Sequence, residues 1–240
     1  DIEKALNQSS FLFKWDTGTG KSYALASLIA NLRYYNECNK AIVLTSSVGI
    51  LNLNAELKKF IKGYDESRTL VVDSVTSLKD RAIFSNKDYD IIISDYDAFK
   101  SICDYYDKIT NKRDKKVDYR KISVPYDEWF SGKKGLIFFD ECHLVTGSSH
   151  RTDVVLMSLD HFQYRYLFSA TPTDKEEKFY PLLKIMDNSL VKGMSRIDWL
   201  SEFCELGTRF SRYAPNKNTW NYGKWALLQN LLSEKYMASR

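Results

Sequence analysis

The chain has 240 residues, 44% of them hydrophobic and 28% charged, with a formal net charge of +4. With 16 Tyr, 13 Phe and only four Pro, this composition excludes a largely disordered chain, and no apolar run approaches the ~18 residues of a membrane span. The length allows one large core that no Pro/Gly/Ser-rich linker divides, and so mild a positive charge permits contact with nucleic acid without requiring it.

In chain order, Phe11-Leu12-Phe13-Lys14-Trp15 reads as a buried strand, and Ala24, Leu25, Leu28, Ile29 and Leu32 then recur at helical spacing. Ala41 to Thr45 reads as a second strand, followed by a helix carrying Ile50, Leu51, Leu53, Leu57, Phe60 and Ile61. Thr69 to Val72 and Ile91 to Ser94 are further strands, the latter entered through the turn-like 86–90. Leu136 to Phe139 and Tyr164 to Phe168 complete the set. Short continuous apolar strands alternating with helical patterns predict an α/β, three-layer fold with a mainly parallel central sheet. Residues 104–121 hold seven Lys/Arg and four Asp, which reads as a solvated insertion or as a loop that contacts nucleic acid. The four cysteines, Cys38, Cys103, Cys142 and Cys204, show no paired spacing. They predict neither a zinc site nor a disulfide partner, and place the protein in an intracellular, reducing compartment.

Between the first strand and its helix lies Thr17-Gly18-Thr19-Gly20-Lys21-Ser22. A Gly-rich turn there lets backbone N–H groups wrap a polyphosphate, helped by the positive end of the helix dipole. Lys21 would reach the β/γ-phosphates and Ser22 would ligate Mg²⁺, the chemistry of a P-loop that binds ATP. Trp15 stands where the general pattern has its first Gly. At the end of a later strand, Asp140-Glu141-Cys142-His143 offers one carboxylate to hold the metal opposite Ser22 and a second to orient or deprotonate water. The same pair could instead cap a helix start. Ser169-Ala170-Thr171-Pro172 follows the last strand, either as a simple exit or as a link from the acidic motif to another surface. In a parallel sheet all these motifs converge on the edge formed by the carboxyl ends of the strands.

Gly18-Thr19-Gly20-Lys21-Ser22, Asp140-Glu141-Cys142-His143 and Ser169-Ala170-Thr171 together resemble motifs I, II and III of superfamily 2 helicases and translocases, over roughly 11–172. Ile91 to Tyr96 resembles the Swi2/Snf2-like branch, with Asp95 where that branch usually has Thr. Phe179 to Asp187, Trp199 to Cys204 and the closing 232–240 resemble that branch's later segments, although only Arg240 stands where paired Arg is usual.

The resemblance implies a RecA-like P-loop lobe at 1–173 and a helical extension at 174–240 leading toward a second lobe. It implies Glu141, Asp140 and Lys21 as catalytic residues, and His143, Ser169 and Thr171 as the coupling between ATP and nucleic acid. Thr45 and Ser46 match the segment that contacts the nucleic-acid backbone, with DNA favoured. No arginine finger or adenine-reading glutamine motif can be placed, so the chain is expected to be the first lobe of a larger motor. Two other readings are a P-loop NTPase of another class, such as a packaging motor or kinase, and an interaction module that does not hydrolyse ATP.

Overall fold

The computed structural model describes residues 1–35, 37–38, 40–73, 89–100, 135–147, 149–173, 178–191, 193–206, 215–220, 230 and 232–239. The charged stretch 104–121 and Arg240 lie outside the described residues, so what was read from them is not carried further.

A short helix, α1 (Ile2–Leu6), leads into β1 (Ser10–Lys14), followed by α2 (Lys21–Tyr34), β2 (Ala41–Thr45), α3 (Gly49–Phe60), β3 (Thr69–Val72) and β4 (Ile91–Asp95). After β5 (Gly135–Asp140) come α4 (His150–Ser158), β6 (Phe162–Phe168), α5 (Phe179–Met186) and α6 (Arg196–Phe203). The remaining strands are β7 (Cys204–Leu206), β8 (Pro215–Trp220) and β9 (Met237–Ser239). One seven-stranded sheet runs in the order β3-β4-β2-β5-β6-β1-β9, and every pairing in it is parallel. β7 and β8 form a separate antiparallel pair.

Side chains alternate across the pleat, and that alternation builds two cores from one set of strands. Phe11, Phe13, Ala41, Val43, Leu136 and Phe138 face α2 and α3, where Ala24, Leu25, Leu28, Leu53 and Leu57 meet them. Leu12, Ile42, Leu44, Ile137 and Phe139 face the opposite way, against Val154 and Val155 of α4, Leu182 and Ile185 of α5, and Trp199 of α6. Both faces of the sheet are covered, which is why its strands read as unbroken apolar runs.

The extension expected at 174–240 is helical at α5 and α6, and these helices bury their apolar faces in the same core as the strands. It is not helical throughout. β9 returns to the sheet and pairs with β1, Leu12 opposite Met237 and Phe13 opposite Ala238. The closing segment therefore completes an edge of this lobe, and an edge strand needs only backbone pairing, which leaves little trace in three residues of sequence.

The sheet order sets β2, β5, β6 and β1 side by side, and parallel pairing aligns their carboxyl ends on one edge. Thus the turns after β1, β5 and β6 become neighbours although 120 or more residues separate Lys21 from Glu141 and Ser169.

Candidate functional site

The turn after β1 is built by its glycines. Gly18 and Gly20 have φ of 78° and 89°, and a Cβ added at either would meet nothing within 4 Å. The backbone conformation, not crowding, is what calls for glycine there. Thr19 closes the turn by donating its hydroxyl to the Asp16 carbonyl at 2.7 Å. Ala24 N–H bonds the Gly20 carbonyl, so the N–H groups of Lys21, Ser22 and Tyr23 begin the helix with no intrahelical acceptor. A 14-residue helix thus starts with its donors and the positive end of its dipole aimed at the turn.

Lys21 Nζ lies 3.0 Å from Glu141 Oε1, with the lysine side chain 13% and the glutamate 30% exposed. Glu141 itself has φ 54° and ψ 53°. A residue other than glycine is held in the left-handed region at a cost of order 1–2 kcal/mol, a strain that proteins keep mainly at functional positions. The effect is to turn the Glu141 side chain back over the P-loop while the chain proceeds into the short helix Cys142–Val145.

Asp140 ends β5 and is fixed from two sides. Its Oδ2 accepts the Thr45 hydroxyl at 2.8 Å, and its backbone carbonyl accepts the Tyr96 hydroxyl at 2.7 Å. Burial pushes its carboxyl above the ordinary range, and the Thr45 hydrogen bond opposes that. Gly49 is part of this arrangement, since a Cβ there would stand 2.6 Å from Thr45 Oγ1. Cys142 is fully buried and burial pushes its thiol far up, so it is an inert filler.

The third motif joins the same cluster. Ser169 is fully buried, and its hydroxyl donates to Glu141 Oε2 over 3.4 Å. The Thr171 N–H donates to Ser169 Oγ at 3.2 Å, and His143 Nδ1 stands 3.2 Å from the same oxygen. His143 Nδ1 is also 3.3 Å from Glu141 Oε2. Lys21, Glu141, His143, Ser169 and Thr171 therefore form one connected path from the phosphate turn to the exposed Thr171. The alternative in which Asp140 and Glu141 merely cap a helix has no support here, because Glu141 makes no side-chain cap.

One residue departs from the sequence reading. Thr45, expected to face nucleic acid, is fully buried and holds Asp140. Thr45 is the last residue of β2, a strand buried along its whole length, and the half-buried Ser46 follows it, its Oγ accepting the Gly49 N–H at 3.3 Å. Arg151 is committed to Asp97 at 2.8 Å and lies 6.0 Å over the Tyr96 ring. Asp95 is buried and accepts the Ala98 N–H at 2.6 Å, so it caps the helical residues from 96.

A cleft of about 350 Å³ opens over these groups, lined by Thr17, Gly18, Lys21, Ser22, Asp140 and Glu141 among others. Ser22 and Asp140 offer hard oxygen donors of the kind Mg²⁺ takes, and Mg²⁺ in such sites keeps waters and phosphate oxygens as its other ligands.

A family model described as "Type III restriction enzyme, res subunit" matches residues 2–174. A comparison with curated proteins found no match. Among solved structures the chain is similar to the Sulfolobus solfataricus SWI2/SNF2 ATPase core in complex with dsDNA, at 17% identity over 100% of this chain and 42% of that one, with a TM-score of 0.66. The SWI2/SNF2 ATPase core domain of the same organism gives 17% identity, 100% and 41% coverage and a TM-score of 0.63. The Pyrococcus furiosus Hef helicase domain gives 14% identity, 77% and 34% coverage and a TM-score of 0.55. The chain thus spans about two fifths of the length of the Sulfolobus cores. At such identities the likeness is one of fold alone.

Proposed function

The chain belongs to the type III restriction enzyme res subunit family, and on that premise we propose that it is the ATP-binding lobe of a motor that hydrolyses ATP, with Mg²⁺, to move on double-stranded DNA. One observation carries the reading: Lys21, Glu141, His143 and Ser169 are joined by contacts of 3.0–3.4 Å across three separate strand ends. A P-loop used only for binding, or a kinase-like site, has no need of a buried serine and a histidine reporting on its catalytic carboxylate.

In this reading the P-loop N–H groups and Lys21 hold the phosphates, and the oxygens of Ser22 and Asp140 would hold Mg²⁺, which would supply positive charge against the transferring phosphoryl group. Glu141, turned over the turn by its left-handed backbone, orients a water and accepts its proton. Lys21 exchanges its Glu141 partner for phosphate, which frees Glu141 for that task. Because Ser169 and His143 share Glu141 Oε2, any shift of Ser169 or Thr171 alters the catalytic carboxylate. Coupling to DNA would run along that path, with Ser46 at the neighbouring strand end as the phosphate-backbone contact and a second RecA-like lobe of the same parent closing over the cleft. The dsDNA bound by the Sulfolobus core supports duplex DNA as the track.

The test is the 240-residue lobe by itself. It should bind Mg-nucleotide, bind DNA only at low salt because few phosphates are contacted, and turn over ATP poorly, since an arginine from an opposing lobe is worth about 10³–10⁵ in rate. Robust DNA-stimulated turnover by this lobe would contradict the two-lobe reading.

A further inference from the structure

The phosphate cleft has a second wall that the hydrolytic chemistry leaves unused. Besides the P-loop and the carboxylates it is lined by Tyr23, Glu56 and Phe60. Tyr23 follows Ser22 in the first turn of α2, while Glu56 and Phe60 lie four apart, hence on one face of α3. The rings of Tyr23 and Phe60 meet edge to face, centroids 5.5 Å apart and planes at 88°. Yet Tyr23 is 56% and Phe60 39% exposed. Lys59 Nζ lies 5.2 Å from the Phe60 ring. Isolated exposed aromatics are ordinary, but two in contact at the mouth of a cleft form a platform.

The polarity of the cleft says what the platform meets. Asp140, Glu141 and Lys21 mark the end where the terminal phosphate must lie. The N–H groups that open α2 run from Lys21 to Tyr23, so a phosphate chain laid along them brings its innermost phosphate to residue 23. The nucleoside then leaves the P-loop on the side of Tyr23, Glu56 and Phe60. We propose that Tyr23 and Phe60 form the stacking platform for the nucleoside half of the bound nucleotide, with the exposed Glu56 carboxylate accepting from sugar hydroxyls. Base faces stack on aromatic rings whatever the base, and an acceptor carboxylate suits a pair of hydroxyl donors. The assignment rests on the nucleotide reading of the P-loop and adds where the nucleoside sits.

The experiment measures binding of Mg-ADP and of Mg-tripolyphosphate, which lacks the nucleoside, to the wild-type protein and to Tyr23→Ala, Tyr23→Phe, Phe60→Ala and Lys21→Ala. Tyr23→Ala and Phe60→Ala should each weaken ADP about tenfold, the scale of losing one base–aromatic stack, and leave tripolyphosphate unchanged. Tyr23→Phe should bind both like the wild type, and Lys21→Ala should weaken both ligands. Both aromatic positions are exposed, so circular dichroism of the variants should match the wild type. A wild type that binds both ligands, with ADP affinity indifferent to Tyr23→Ala and Phe60→Ala, would overturn the platform and leave the P-loop reading standing. A wild type that binds neither would overturn both.

Discussion

Replacing Glu141 by Gln keeps the shape of the side chain and removes one negative charge. Three contacts register the change: Lys21 at 3.0 Å on Oε1, and His143 at 3.3 Å and Ser169 at 3.4 Å on Oε2. The ion pair with Lys21 involves a glutamate that is 30% exposed, so its loss should cost the fold no more than about 1 kcal/mol. The amide oxygen can still accept from Ser169, and Gln adopts the left-handed backbone of position 141 no less readily than Glu. Nucleotide binding should therefore persist, and the loss of the opposing charge leaves Lys21 freer for phosphate. What disappears is a group able to take a proton from water, typically worth 10²–10⁴ in rate, or about 3–5 kcal/mol of barrier. Single-turnover hydrolysis by the DNA-bound, two-lobe protein, measured beside the Kd for Mg-ATP, separates the two effects. The expected result is turnover down by at least about 10²-fold with Kd within a factor of a few. Turnover within a few-fold of wild type would refute Glu141 as the base, and a Kd that rises in step with the lost rate would refute the division of labour between binding and chemistry.

Lys21→Ala should abolish ATP turnover and weaken nucleotide binding by roughly 10–100-fold, the worth of one charge-assisted contact to phosphate, as read by calorimetry. Tyr96→Phe removes the 2.7 Å hydrogen bond to the Asp140 carbonyl; it should cost about 1–2 kcal/mol in urea unfolding and lower kcat while leaving the Kd for nucleotide in place. Trp199→Ala empties a fully buried site beside Tyr180 and Phe203, at ring distances of 6.0 and 5.0 Å. It should cost about 3–5 kcal/mol, and a loss under about 1 kcal/mol would show that α6 is not integral to the lobe's core.

The motifs were legible because each is a local pattern tied to a strand end. Gly18 and Gly20 mark a turn, Asp140 and Glu141 follow an apolar run, and one parallel sheet edge explains why they converge. Pairings across the sheet were not legible. Thr45 and Asp140 meet over 95 positions, and Tyr96 and Asp140 over 44, so no spacing announces either contact. The family resemblance pointed Thr45 at nucleic acid, whereas it ends a strand buried on both faces. The left-handed Glu141 leaves no composition signal, because the usual marker of that backbone is glycine. α1 spans five residues and β9 three, too few to show a period. Tyr23 and Phe60 read as ordinary helix residues until the cleft between α2 and α3 is seen.

The central claim, that this lobe drives movement on DNA by hydrolysing ATP, is met most directly by steady-state ATPase assays of the protein carrying both lobes with duplex DNA, single-stranded DNA, RNA or no nucleic acid, with Lys21→Ala as the blank. The account predicts slow basal turnover, strong stimulation by duplex DNA that fades as salt rises, and none of it in Lys21→Ala. Turnover that is the same with and without nucleic acid, or that survives in Lys21→Ala, would contradict it.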